Sequence, residues 1–142
     1  MRFLGLTGHH DPAILLEAMR QFDFDTVLVA LNVADVYRLS FAQTVLPEAF
    51  RRGMGVIGMK VYAAGTLLSA SAHPFTPSDA MGYVLSLSGV STVVIGCSSP
   101  AEVDENARIA CAFQPFGAQV LRELEGRAHP HAAHYTAYKR PS

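Results

Sequence analysis

Four times in succession a short apolar run gives way to a stretch with helical spacing, and this alternation restricts the chain to folds with a parallel sheet. Successive parallel strands need a crossover, and crossovers through a helix are right-handed. The first run is Phe3-Leu4-Gly5-Leu6-Thr7 and the second is Thr26-Val27-Leu28-Val29-Ala30-Leu31. Met54-Gly55-Val56-Ile57-Gly58-Met59 is the third, and Ser91 to Ile95 the fourth. The second run is apolar almost throughout, as expected of a strand covered on both faces.

Helix signals fill the intervals. Asp11-Pro12 joins a capping side chain to a proline at the first helical position. Ile14, Leu15, Ala18 and Met19 then fall on one side of a helix from Ala13 to Gln21. Ser40 caps a predicted helix from Phe41 to Arg52, which Gly53 ends. Pro77-Ser78-Asp79 opens a third helix reaching Leu87, and Pro100 to Phe113 forms a fourth. Gln119 to Glu125 adds a short helical segment. Asn32 to Arg38 reads as a loop, and Lys60 to Phe75 as a longer connection rich in Ala, Gly, Ser and His.

No linker interrupts the pattern. Residues 1–125 read as one domain, and residues 126–142 as a flexible C-terminal tail carrying His129, Pro130, His131, His134 and Pro141. The fold class is α/β, with four consecutive β/α units. Periodicity alone accommodates half of a TIM barrel or a small open α/β sheet. The early Gly-rich fingerprint of Rossmann dinucleotide sites is missing.

Composition narrows the function. A chain of 142 residues that is 50% hydrophobic supports one buried core and is not disordered overall. Its formal net charge of -1 lacks the basic stripe of a nucleic-acid surface. No run is long enough to span a bilayer, and the N-terminus has no signal-peptide stretch. The expectation is a cytoplasmic protein with no nucleic-acid or membrane partner. Cys97 and Cys111 belong to no close metal-ligand pair and are expected as reduced thiols. His9-His10-Asp11 has metal-ligating side chains, but neighbours along a strand diverge and Asp11 already has a role as a helix cap. No metal site is assigned.

The segment Val90 to Asn106 carries the strongest functional signal. A β-branched strand enters Gly96-Cys97-Ser98-Ser99, and the helix beginning at Pro100 carries Glu102, Asp104 and Glu105 early in its course. Such a helix start presents unpaired N–H groups that favour an anion, a phosphate among them. The same Ser and Glu residues also serve as ordinary capping groups, so both roles stand at this point.

Gly89 to Asn106, Arg52 to Lys60 and Phe3 to His9 together resemble the aldo/keto reductase family, in the order of that family's eighth, seventh and fifth barrel strands. Thr26 to Asp35 resembles the sixth strand and its exit. The resemblance covers residues 3 to about 113 and implies the C-terminal half of a (β/α)8 barrel, a partial TIM barrel. Family enzymes transfer hydride between NAD or NADP and a carbonyl or alcohol. Their catalytic Asp, Tyr, Lys and His come from the first half, so the resemblance implies no catalytic residue here. Carbonyl reduction of a small substrate is expected only of a complete enzyme.

The resemblance assigns the cofactor as follows. Thr7 matches a Ser near the nicotinamide amide, while Gly8 and Leu28 stand where Asn and Gln are usual. Met59 stands where an aromatic ring often stacks on nicotinamide, and a thioether covers a ring less rigidly. Lys60 is placed to contact a phosphate or ribose. Gly96, Cys97, Ser98 and Ser99 resemble the phosphate-contacting exit of the last strand. Glu102 replaces a residue that is often basic in NADP-preferring members, which implies a weak preference for NAD. Glu105 and Asn106 match a pair that reaches adenine. A half-barrel also leaves two sheet edges open, which implies pairing with a second copy or with a complementary N-terminal half. The alternative is a noncatalytic interaction module or a truncated gene product.

Overall fold

The structure is a computed structural model and describes residues 2–69 and 75–140. Four strands form one parallel sheet in sequence order: β1 (Gly5–Gly8), β2 (Thr26–Ala30), β3 (Gly55–Met59) and β4 (Val90–Val93). The helices are α1 (Pro12–Gln21), α2 (Phe41–Arg51), α3 (Thr66–Ser69), α4 (Pro77–Leu85), α5 (Pro100–Cys111), α6 (Ala118–Ala128) and α7 (Ala132–Tyr135). The expected strand–helix alternation is present, with ends moved by a residue or two where terminal turns tighten. The connection over 60–75 adds a 3-10 turn, Ala63–Gly65, and the short α3. Residues 70–74 of that connection lie outside the described residues, as does Pro141.

The helix starts follow from their caps. Asp11 accepts the Ala13 N–H at 2.8 Å, with Pro12 opening α1. Ser40 accepts the Gln43 N–H at 3.0 Å. Thr76 and Asp79 form a reciprocal capping box on α4, satisfying two otherwise orphaned donors.

Alternation along the strands divides the sheet. Val27 and Val29 of β2 and Val56 and Gly58 of β3 face the packed side and are buried. α1 and α4 press onto this face so closely that a Cβ on Gly8 would meet Leu15 at 2.9 Å, and one on Gly58 would meet Val84 at 2.9 Å. The other face carries the row Thr7, Leu28, Ile57 and Thr92, all exposed or half-buried. Between β3 and β4 the register slips at Val56/Ile57, and the Ser91 hydroxyl accepts the Val56 N–H at 3.2 Å across the irregularity.

Residues 126–140, expected to form a loose tail, instead pack as structure. α6 buries Leu124 and Ala128, and α7 buries Ala132 and Tyr135. The Tyr83 hydroxyl donates to Glu125 at 2.7 Å, tying α4 to α6. Beyond α7, Tyr138 accepts from the Asn32 amide at 2.8 Å, and the Arg140 N–H donates to the His10 carbonyl at 3.2 Å. The segment therefore crosses the C-terminal ends of β1 and β2. Histidines and prolines hid this from pattern reading, because the burial lies in a few aromatic and aliphatic carbons without a sustained period.

Candidate functional site

The chain turns sharply where it leaves β3. Lys60, Ala63 and Ala64 have φ of 57°, 48° and 57°, and Gly65 follows at 91°. Left-handed backbone at non-glycine residues costs energy and concentrates where a fold holds a binding surface. Three of the four such residues among those described lie in this single turn, the other being Leu39. The turn forms one wall of a cleft of about 670 Å³, within the size range of small-molecule sites.

β4 and α5 form the facing wall. Ser99 caps α5, accepting the Glu102 N–H at 3.3 Å, and Pro100 occupies the first helical position. The Glu102 carboxylate turns back to accept the Ser98 N–H at 2.7 Å. An acidic side chain at a helix N-terminus is favoured by the helix dipole, so local capping alone explains this arrangement. It also holds a negative charge on the cleft, because Glu102 is one of the lining residues.

One set of hydrogen bonds joins the two walls. The Tyr62 hydroxyl donates to Asn106 Oδ1 at 2.6 Å. Asn106 Nδ2 donates to Cys97 Sγ at 3.3 Å, and Cys97 Sγ donates to the Ile95 carbonyl at 3.8 Å. The Tyr62 phenol is pushed up to about 12, first by burial and then by Glu105 and Cys97. Its proton, present at neutral pH as in any tyrosine, is therefore kept further into alkaline solution.

Met59, Lys60, Gly96, Ser98, Glu102, Glu105 and Asn106 line this cleft together. Three other residues singled out from the sequence have different positions. Thr7 lies on β1, two strands away, where its hydroxyl donates to the Leu28 carbonyl at 3.1 Å. Ser99 serves as the α5 cap. Cys97 is exposed and meets Asn106 at the cleft's edge. Tyr62, Val61, Leu68, Pro77, Val94 and Ile95 also line the cleft. Tyr62 lacked a sequence signal, since its partner Asn106 is 44 residues away.

His9 at the β1 exit is lowered by burial, then by His10 and Lys60. Among the described residues, no group of three His, Cys, Asp or Glu side chains could hold an ion. Cys97 and Cys111 are both free and exposed. No helix among the described residues is long and apolar enough to cross a membrane.

Similarity to known proteins lies in the fold. No protein-family model and no curated protein matches the sequence. Among solved structures, aldo-keto reductase AKR11C1 from Bacillus halodurans matches in its holo form with a TM-score of 0.69 at 18% identity, covering 87% of this chain and 50% of that one. Its apo form matches with a TM-score of 0.71 at 17% identity, covering 88% of this chain and 50% of that one. The chain thus has the α/β fold of part of an aldo-keto reductase TIM barrel and spans about half the length of the structures it matches.

Proposed function

We propose that this chain is the cofactor-holding half of an NAD(P)-dependent aldo/keto reductase. The observation that carries this reading is the cleft between the strained β3 exit and the α5 start. It gathers Lys60, Gly96, Ser98, Glu102, Glu105 and Asn106 on one surface. Those side chains suit a dinucleotide: a cation for phosphate, backbone and hydroxyl groups at a helix start, and an amide for a base. In a complete enzyme the bound nicotinamide supplies the hydride for carbonyl reduction, and a second half supplies the proton donor.

The weak preference for NAD follows from Glu102. Its carboxylate is held at the α5 N-terminus by the Ser98 N–H, and a further phosphate there meets a like charge. Lys60 supplies the compensating cation. In this reading the chain works in the cytoplasm, where the exposed thiols of Cys97 and Cys111 stay reduced.

The open sheet favours a partner. β1 and β4 each have one outer edge, and Thr7, Leu28, Ile57 and Thr92 leave the second face only partly covered. A complementary parallel half closes that face and brings the catalytic groups. A second copy closes the face without them and makes a noncatalytic interaction module.

Calorimetric titration with NADH and NADPH, alongside sedimentation, tests the reading. Saturable binding that is tighter for NADH and weakened by Asn106→Ala supports the cofactor half. A folded chain that dimerises and binds neither dinucleotide instead identifies the interaction module.

A further inference from the structure

Asn32 follows β2 and is fully buried, and the partners of its amide fix which end is which. The Ala34 N–H can only donate, so Oδ1 is the end that accepts it, at 2.9 Å. The Lys60 carbonyl can only accept, so Nδ2 is turned to it, at 3.3 Å. An amide nitrogen carries two hydrogens, and the second goes to the Tyr138 oxygen at 2.8 Å. At Lys60 the backbone has a φ of 57°, where a non-glycine residue stays only when its surroundings hold it. Its carbonyl also takes the Ala63 N–H at 2.7 Å, and the Gly65 N–H closes the turn by donating to the Tyr62 carbonyl at 2.8 Å. A side chain at the exit of the neighbouring strand thus pins the carbonyl of the left-handed Lys60.

We propose that Asn32 is a positioning residue: by fixing the left-handed turn it holds the Lys60 side chain on the wall of the cleft, where the ammonium meets a phosphate. For the identity of the ligand this rests on the cofactor reading above. Rotation about the Lys60 backbone bonds moves its side chain relative to its carbonyl and to the residues that follow, so a carbonyl pinned from β2 limits where the ammonium can go. Lys60, Ala64 and Gly65 all line the cleft, so the turn is part of its wall, whereas Asn32 does not line it and acts only through Lys60. The bond to Tyr138 has a different role. It occupies the second hydrogen and ties in the C-terminal segment, but the bonds to Ala34 and Lys60 orient the amide without it.

The test measures amide hydrogen exchange by NMR and NADH binding by calorimetry in the full chain. Asn32→Leu keeps the branched shape and removes the donor. It is expected to speed exchange at Ala63 and Gly65 by about tenfold relative to the amides of α2, the share of one lost hydrogen bond. NADH binding is expected to weaken by about threefold to fivefold, the worth of one partly exposed ion pair. In a Lys60→Ala background the same change is expected to alter NADH binding by less than about twofold, because no ammonium is left to place. Tyr138→Phe, which keeps the Lys60 bond, is expected to leave the turn's exchange and NADH binding unchanged. Asn32→Ala serves the same comparisons if leucine prevents folding. Were Asn32 only a support of the fold, exchange would rise alike in the turn and in α2, and the loss of binding would be the same with or without the Lys60 side chain. Either result overturns the inference. An effect of Tyr138→Phe as large as that of Asn32→Leu overturns it as well. Failure of the folded wild-type chain to bind NADH removes the cofactor reading, and the exchange comparison, which needs no ligand, then supports or overturns the hold of Asn32 on the turn.

Discussion

The ammonium of Lys139 is seated on the carboxylate of Asp35, with both side chains fully buried. Its remaining protons go to the Arg38 carbonyl at 2.9 Å and the Leu39 carbonyl at 3.1 Å. Asp35 also accepts from the Ser40 hydroxyl at 2.7 Å and the Ala42 N–H at 2.8 Å. The C-terminal segment is therefore tied to the start of α2 and to the bend where Leu39 takes a φ of 42°. Burial pushes the Lys139 ammonium below its ordinary value, and Asp35 opposes that push.

Removing one partner of such a pair strands the other charge in the interior. Lys139→Met is expected to cost about 3–5 kcal/mol, measured by urea unfolding. The double variant Lys139→Met/Asp35→Asn is expected to recover part of that loss, since no uncompensated charge is left. A single variant as stable as the wild-type chain would show that the segment is not held by this pair.

Glu48 links α2 to α1 at the surface. Its carboxylate accepts from Arg51 Nε at 2.8 Å and from Arg52 Nε at 2.5 Å, and Arg52 also reaches the Met19 carbonyl. The two guanidinium groups, Arg51 first, hold Glu48 down to about 2 from its ordinary 4.5. A carboxylate lowered in the folded state contributes stability that is present above the ordinary value and lost as pH falls through the folded one. Urea midpoints are expected to drop between about pH 4.5 and pH 2, less steeply in Glu48→Gln. Equal slopes in the two proteins would remove Glu48 from the account.

Tyr62 sets an alkaline limit by the opposite sign. Its phenol is raised to about 12 from an ordinary 10. The unfolded chain releases this proton first, so the contribution is complete below pH 10 and lost as pH rises through about 12. Ultraviolet difference titration of the wild-type chain against Tyr62→Phe is expected to show one phenol ionising near the upper value. Ionisation at the ordinary value would mean that the phenol is not buried beside Glu105 and Cys97.

The strands were legible because each is a short β-branched or apolar run bounded by turn residues, and helix starts were legible from Asp11, Ser40 and Ser99 as caps and from Pro77-Ser78-Asp79, whose actual cap, Thr76, only the structure shows. Much of the cleft was legible for a similar reason: Gly96 to Asn106 and Met59-Lys60 are local motifs at strand exits. What escaped depends on distance. Tyr62 and Asn106 are brought together by the β3–β4 pairing, and Lys139 finds Asp35 across 104 residues. Nor can residue type announce the left-handed turn at Lys60, Ala63 and Ala64, since none of them is a glycine. Thr7 stands at a strand end like the others, yet its hydroxyl is satisfied by Leu28.

The central claim is that one cleft holds a nicotinamide dinucleotide. Its most direct test is amide chemical-shift mapping by NMR during titration of the full chain with NADH. The account predicts saturable changes confined to Lys60 to Gly65, Gly96 to Glu102 and Asn106, with α1 and the buried side of α2 unmoved. Changes scattered over the surface, or none at saturating NADH in a folded chain, would contradict it.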